Sequence, residues 1–93
     1  MFKSRRGYKQ KIYVMYFVYV LKSINHNKTY VGYTNNLNRR IDEHNKGKSK
    51  FTRTYKPWGL IYKEEYPTIS EAKKREKYLK SSAGRIYLKK IIT

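Results

Sequence analysis

The sequence predicts an α/β domain of the α+β type, in which a small three-stranded antiparallel sheet is flanked by helices in the order ββαβαα. Three observations lead to this prediction: two β-type runs joined by an Asn-rich link, a third β-type run later in the chain, and capping residues ahead of apolar segments with helical spacing. A hairpin that comes first favours an antiparallel sheet covered by helices. The 93 residues suffice for one domain with a small core.

The first two elements are predicted to form a hairpin. Residues 16–23 and 29–34 are rich in the β-branched and aromatic residues that strands favour. The five residues between them include Asn25 and Asn27, which suit a turn.

A helix of about ten residues is predicted to follow the hairpin. It ends near Gly47, which suits a helix C-cap. Residues 46–56 carry basic side chains and no acid, and we expect them to form a loop. The candidates for the N-cap of the helix are Thr34, Asn35 and Asn36.

The second half of the chain predicts one strand and two helices. Residues 60–66 form the third β-type run. Thr68 and Glu71 have the spacing of a capping box, so a helix is expected to start there and to run to about Lys80. A last short helix is predicted over residues 85–92.

The charge of the chain predicts a polyanionic partner. Its 23 Lys and Arg against six Asp and Glu give a formal net charge of +17. Each phosphate that a basic side chain neutralises releases condensed counterions, so we expect nucleic acid, with an anionic membrane surface or ribosome association as the alternatives. The residues expected to contact backbone phosphates without reading sequence are Lys46, Lys48, Lys50, Arg53 and Lys56.

The few acidic residues and the absence of cysteine limit the kinds of metal site that the chain can form. A two-metal nuclease needs a cluster of carboxylates, and six acids that fall mostly in adjacent pairs fit one ion held by one carboxylate better. The chain has no cysteine, which excludes disulfides and thiolate metal sites and favours a reducing, cytoplasmic compartment.

The N-terminal segment resembles a signal peptide in its basic residues and in the apolar run 12–21. That run is too short to span a bilayer, and no small-residue cleavage site follows it, so we interpret it as a strand. We expect residues 1–14 to be a basic arm, either disordered or the product of a start codon upstream of Met15, and residues 15–93 to form the domain.

The two predicted strands can bring two phenols together. Side chains alternate along a strand, so Tyr19 shares a face with Leu21, and Tyr30 shares a face with Gly32. The hairpin can place both tyrosines at one mouth, where Gly32 leaves room for a backbone phosphate. The alternative is structural, because tyrosine favours strands and the chain has eleven.

The first predicted helix carries Arg40 and His44 at positions i and i+4, which places them on one face. A guanidinium can clamp a phosphate through two parallel hydrogen bonds, and an imidazole can relay a proton near neutral pH. The alternative is that both lie on a solvated helix flank.

Glu76 interrupts an apolar stripe. Ile69, Ala72 and Leu79 define the stripe on the predicted second helix, and Glu76 falls within it. A carboxylate on a core-facing side is costly unless it is paired or binds a metal ion. Two interpretations remain: a metal ligand, or a buried ion pair with Arg40.

Together these residues resemble the GIY-YIG nuclease family, in particular its small stand-alone members and the amino-terminal catalytic domain of the bacterial excision-repair nuclease. The resemblance covers residues 15–92. Tyr30 follows Tyr19 by eleven positions, as in typical members. The matching positions are Phe17-Val18-Tyr19, with Phe where the first motif has Gly, then Tyr30-Val31-Gly32, Arg40, His44 and Glu76.

The resemblance implies a metal-dependent endonuclease that hydrolyses DNA phosphodiester bonds with one divalent ion, Mg²⁺ or Mn²⁺. By family role Tyr19 is the general base, His44 assists it and Tyr30 orients phosphate or water. Arg40 stabilises the pentacoordinate phosphate, and Glu76 holds the ion.

The substrate implied is DNA recognised by structure rather than sequence, in repair or processing, with RNA as a further candidate. No membrane partner is expected, and a monomer is compatible with the sequence. The rival interpretation is a non-catalytic nucleic-acid-binding module of the same fold.

In one respect the chain departs from the family pattern. Many members place an Asn beyond the catalytic helix, whereas no Asn follows Asn45 here. The candidates to replace it are Ser81, Ser82 and Arg85.

Overall fold

The computed structural model describes residues 14–92, which form three strands and four helices. The predicted basic arm lies outside the described residues except for Val14, so it stays a prediction. No helix among residues 14–92 is long and apolar enough to cross a bilayer. The elements in chain order are β1 (Tyr16–Ser23), β2 (Thr29–Thr34), α1 (Leu37–Asn45), α2 (Lys50–Thr54), β3 (Trp58–Tyr66), α3 (Ile69–Leu79) and α4 (Ser82–Ile92).

The three strands form one antiparallel sheet in the order β2-β1-β3, as the sequence predicts. In the β1–β2 hairpin Tyr19 lies opposite Gly32, and Leu21 lies opposite Tyr30. The register shifts between Val20 and Leu21 where β1 pairs with β3, which marks a bulge. The hairpin register therefore brings the two tyrosines to adjacent positions on one face.

Each face of the sheet carries its own apolar cluster, because the side chains of β1 alternate between them. One face holds Val18 and Val20 and is covered by α3 and α4. The other face holds Tyr19, Leu21 and Trp58 and is covered by α1 and the segment around Tyr55. The candidate site lies on this second face.

Local capping explains where the helices begin. Asn36 is the N-cap of α1, and its side-chain oxygen accepts a hydrogen bond from the backbone N–H of Arg39 at 3.1 Å. Thr68 caps α3 through the N–H of Glu71 at 3.2 Å, and the Glu71 carboxylate bonds back to the Thr68 hydroxyl at 2.8 Å. Gly47, with φ of +81°, follows the end of α1.

The structure differs from the sequence prediction at several boundaries. The predicted loop 46–56 contains the short helix α2, and β3 begins at Trp58 rather than at residue 60. Both differences follow from tertiary hydrogen bonds: the Asn45 side chain pairs with the backbone N–H and C=O of Trp58 at 2.6 and 3.1 Å, and the Trp58 indole donates to the Thr52 carbonyl at 2.7 Å.

The last two helices also depart from the prediction. The final helix begins at Ser82 instead of residue 85, because Ser81 caps it by accepting a hydrogen bond from the Gly84 N–H at 3.2 Å. Ile69, predicted to lie on the apolar stripe of α3, is 46% exposed, whereas Ala72 and Leu79 are fully buried. The buried stripe of α3 therefore begins one turn later than the sequence pattern indicates.

Candidate active site at the hairpin and the first helix

A buried hydrogen bond joins Tyr19 to His44. The Tyr19 phenol oxygen lies 2.9 Å from Nε2 of His44, although 25 residues separate the two in sequence. Both side chains are buried, at 1% and 0% exposure. The structure thus brings together the predicted base and its predicted assistant.

A second hydrogen bond fixes the imidazole from its other side. Nδ1 of His44 lies 2.8 Å from the Thr52 hydroxyl, which itself donates to the Ser49 carbonyl at 3.4 Å. All three contacts are satisfied in the tautomer that carries its proton on Nδ1, which we assign here: Thr52 accepts from Nδ1–H and donates to Ser49, and Nε2 accepts from the Tyr19 phenol. The result is one directed chain of hydrogen bonds from Tyr19 through His44 to Thr52.

Burial sets the protonation of this pair. It raises the pKa of Tyr19 to about 12, and the nearby Arg40 side chain opposes that rise only in part. Burial, with Arg40 adding to it, lowers the pKa of His44 to about 4. At neutral pH the site therefore holds a neutral phenol hydrogen-bonded to a neutral imidazole.

Tyr30 stands beside this pair. Its ring centre lies 4.9 Å from that of His44 and 6.3 Å from that of Tyr19. Both phenols are thus placed at one site, as the strand pattern predicts.

Gly32 has a steric role beneath the phenols. A Cβ at Gly32 would lie 2.5 Å from the Tyr19 hydroxyl oxygen, so only glycine lets the Tyr19 ring lie across β2. Contact between the Gly32 backbone and a phosphate stays a prediction.

Arg40 extends from α1 toward the same place. Its guanidinium interacts with the Tyr19 phenol and forms an ion pair with Glu43 at 3.0 Å. The side chain is about one-third exposed, so one end remains accessible to an anion. The carboxylate paired with Arg40 is that of Glu43, so the alternative of an Arg40–Glu76 ion pair is not found.

Glu76 lies on α3, the helix that packs on the other face of the sheet from Tyr19. Its side chain is 20% exposed, and its carboxylate pairs with Lys80 one turn later at 2.7 Å. The negative charge of Glu76 adds to the raised pKa of Tyr19, after the larger effects of burial and of Tyr30. Lys80 also lies over the Tyr30 ring, with Nζ 5.6 Å from its centre.

Each of the other five acids has a basic or hydroxyl partner of its own. Within residues 14–92 no three His, Asp or Glu side chains form a group that could hold a metal ion. Glu43 also lies near the site, but Arg40 holds its carboxylate, so Glu76 is the candidate for a single-carboxylate ion site. The partners of the other acids are Lys46 for Asp42, Arg40 and Arg39 for Glu43, Arg75 for Glu64, Lys63 for Glu65 and Thr68 for Glu71.

The predicted phosphate-contacting residues lie on and around α2. All five have exposed side chains, and the helix that carries two of them is tied to His44 through the buried Thr52. The ordered helix presents Lys50 and Arg53 where the sequence predicted a loop, and the other three basic residues lie in the segments that flank it. Those residues are Lys46, Lys48, Lys50, Arg53 and Lys56.

Two residues of the site were missed by the sequence analysis. Lys80 could have been found from its i, i+4 spacing to Glu76, which predicts an ion pair on a helix. Thr52 carries no comparable signal, because its bond to His44 depends on how α2 packs. Of the candidates to replace the family Asn, Ser81 caps α4, and Arg85 lines a cavity of about 570 Å³ with Val20 on the opposite face of the sheet.

Comparison with known proteins agrees with this geometry. The family model described as the GIY-YIG catalytic domain matches residues 15–90, nearly the whole described chain. The chain belongs to the GIY-YIG family. A UPF0213 protein of Staphylococcus epidermidis is 42% identical over 77 residues, which cover 82% of this chain and 93% of the relative.

Two further relatives support the same grouping. A UPF0213 protein of Staphylococcus aureus is 40% identical over 67 residues, covering 71% of this chain and 80% of that protein. The solution NMR structure of a UPF0213 protein from Bacillus halodurans is similar with a TM-score of 0.51 and 31% identity, covering 83% and 84% of the two chains. This GIY-YIG protein is thus a small member of the UPF0213 group with the expected α+β fold.

Membership in the GIY-YIG family implies a nuclease-type function and a nucleic-acid substrate. Nucleases of this family generally depend on a divalent metal ion. The names of the UPF0213 relatives state no activity.

Proposed function

We propose that this GIY-YIG protein is a metal-dependent endonuclease that hydrolyses DNA phosphodiester bonds, selecting its substrate by structure rather than by sequence. The observation that carries the proposal is the buried Tyr19–His44 hydrogen bond, set beside Tyr30 and within electrostatic reach of Arg40 and Glu76. A structural core needs no such set, because two buried titratable side chains cost desolvation.

The residues present fit a single divalent ion at Glu76. Magnesium retains several waters and is held by one or two carboxylates together with substrate phosphates, so one carboxylate is enough. Glu76 would hold Mg²⁺ or Mn²⁺ once its ion pair with Lys80 opens. Such an ion supplies positive charge beside the phosphate and beside the Tyr19 phenol.

Tyr19 would accept the proton of the attacking water, with assistance from His44. A pKa of about 12 for the phenol and of about 4 for the imidazole makes direct proton transfer between them unfavourable in the ligand-free site. Added positive charge near the phenol lowers its pKa and increases the phenolate fraction that can act as a base. The phenol proton would leave to solvent, and the phenolate would be held by His44 in the tautomer whose Nε2 carries the proton, with Nδ1 accepting from the Thr52 hydroxyl.

Arg40 and Tyr30 would act on the phosphate. The accessible guanidinium of Arg40 can neutralise charge on the equatorial oxygens as the transition state forms. Tyr30 offers a phenol beside His44 that can orient phosphate or water. The basic residues of α2 and its flanks would hold the adjoining strand by its phosphates without reading bases.

The rival function is a nucleic-acid-binding module without turnover. The Glu76–Lys80 ion pair favours it, because an ammonium group already neutralises the carboxylate that an ion would need. The net charge of +17 would support binding of nucleic acid without any metal ion.

Cleavage of nicked, flapped and single-stranded DNA with Mg²⁺ or Mn²⁺ tests the proposal. Glu76→Gln is expected to lose roughly 100-fold or more in rate, the effect of removing a charged group from a transition-state site. Glu65→Gln is the matched control, because it removes the same charge from an exposed position on β3.

Three results of this experiment would count against the proposal. Equal cleavage by wild type and Glu76→Gln would indicate a contaminating nuclease. An equal loss in both variants would indicate a general effect of charge. Tight binding without cleavage of any substrate would favour the rival function.

A further inference from the structure

Phe51 is an exposed aromatic side chain beside the catalytic tyrosines. It is the second residue of α2, and its side chain is 50% exposed. Its ring stacks on that of Tyr30, with ring centres 6.1 Å apart and planes inclined by 30°. A large apolar ring is therefore presented to solvent directly next to a residue of the candidate active site.

The Phe51 ring is held in place from below. Its centre lies 5.5 Å from that of Tyr55 and 6.5 Å from that of the buried Trp58. The next residue, Thr52, is fully buried and receives the Trp58 indole N–H on its carbonyl oxygen. The exposed ring is thus preorganised, so a ligand that stacks on it would lose little freedom of the protein.

The charge around this ring suits a polyanion. Residues 46–56 contain five Lys and Arg and no acid. Lys28, from the β1–β2 link, lies over the neighbouring Tyr55 ring, with Nζ 5.4 Å from its centre. An aromatic ring within a basic surface is the combination with which proteins bind single-stranded nucleic acids.

We propose that Phe51 is a stacking platform for an unpaired nucleobase next to the phosphate bound at Tyr30 and Arg40. This inference rests on the proposed function, because it assigns a substrate class to the same site. The phosphates of the strand lie along the basic residues of α2, and the flanking base covers the exposed face of the Phe51 ring. In an intact duplex each base is already covered by its neighbours, so the platform selects single-stranded, flapped or frayed substrates.

Binding without metal tests the platform separately from catalysis. The affinity of the protein in EDTA, at one fixed ionic strength, is measured for an oligodeoxyadenylate and for a sugar–phosphate chain of equal length that lacks bases. Phe51→Leu keeps an apolar side chain of similar size but removes the aromatic face. It is expected to weaken binding of the oligodeoxyadenylate roughly 5- to 150-fold and to leave the chain without bases almost unaffected.

Two further variants control for packing and surface changes. Phe51→Trp keeps an aromatic face and should bind the oligodeoxyadenylate at least as tightly as wild type. Ile86→Ala removes an apolar side chain that is 58% exposed on α4, away from the basic segment, and should change neither affinity. A loss in Phe51→Leu that is equal for both chains, or no loss at all, overturns the platform.

A blunt duplex provides a second criterion for the class of substrate. Phe51→Leu should bind it nearly as wild type does, because only the two terminal base pairs of the duplex expose a base face. A loss as large as that for the oligodeoxyadenylate would show that the ring does not select unpaired bases, which also overturns the proposal.

The two proposals fail in different ways. Cleavage that depends on Glu76, with binding unchanged in Phe51→Leu, removes the platform and leaves the nuclease. Base-dependent binding that needs Phe51, with no cleavage of any substrate, supports the platform and removes the nuclease, so the ring would then serve a binding module.

Discussion

Replacement of His44 by Gln removes a fully buried imidazole and with it a specific pH dependence of stability. His44 has a pKa near 6.5 when the chain is unfolded and of about 4 in the folded protein, because burial and Arg40 disfavour its cation. Between these two values the unfolded chain binds a proton that the folded protein does not. The free energy of unfolding therefore falls as pH falls from about 7 to 4.

The size of this effect follows from the two pKa values. Linkage gives a loss of about 2 kcal/mol by pH 5 and about 3 kcal/mol by pH 4, relative to pH 7. Glutamine does not titrate, so His44→Gln should lack this part of the pH dependence. Any constant cost of losing the bonds to Tyr19 and Thr52 cancels, because the comparison uses the change with pH.

Urea unfolding at a series of pH values measures the difference. Trp58 is the single tryptophan of the chain and is 2% exposed, so its fluorescence reports unfolding of this face of the sheet. The wild-type curve should fall about 3 kcal/mol more than that of His44→Gln between pH 7 and pH 4. Parallel curves would refute the argument, since they would mean that the imidazole titrates alike in the folded and unfolded states.

Three further predictions concern packing and chemistry. Gly84→Ala should lower the free energy of unfolding by about 1–3 kcal/mol, because a Cβ there would clash with the backbone oxygen of Tyr78 on α3. Gly59→Ala is the control, since its Cβ meets nothing within 4 Å and should leave the unfolding midpoint in urea unchanged, and similar midpoints for both variants would contradict the close packing of α4 on α3. Asn45→Ala should lower the free energy of unfolding by about 1–3 kcal/mol in the same assay, because it leaves the backbone N–H and C=O of Trp58 without their side-chain partner. An unfolding midpoint equal to that of wild type would contradict a stabilising role for these two hydrogen bonds. With Tyr19 as the general base, the single-turnover cleavage rate should rise about tenfold per pH unit from pH 6 to pH 8, because the raised pKa of Tyr19 keeps the phenolate fraction small in this range. A rate that does not change with pH would show that another group is the base.

The elements that the sequence predicted are those whose signals are local. Alternation along β1 and β2 correctly put Tyr19 and Tyr30 on one face, because successive strand residues point to opposite sides. Caps such as Asn36 and Thr68 correctly marked where α1 and α3 begin, since each cap bonds a backbone N–H three residues later. The predicted order missed α2 only.

The elements that escaped prediction depend on contacts between distant segments. Helix α2 forms where the basic composition predicts a loop, and it is held by bonds from Thr52 to His44 and from Trp58 to Thr52. Ile69 fits the helical spacing of a core residue, yet as the first residue of α3 it is 46% exposed. The spacing of residues along one helix or strand predicts which side chains share a face. It does not predict which residues of other elements pack against that face.

The sequence by itself determined the family, the residues proposed for catalysis and, except for α2, the order of the elements. These depend on residue types and their spacing, which can be read without the tertiary structure. Only the tertiary structure decided the environment of those residues. It buried Tyr19 and His44 together and moved their pKa values apart, since desolvation depends on neighbours from β2, α1 and α2. It also set Lys80 against Glu76 and presented Phe51 beside Tyr30, two relations that exist only once the segments pack.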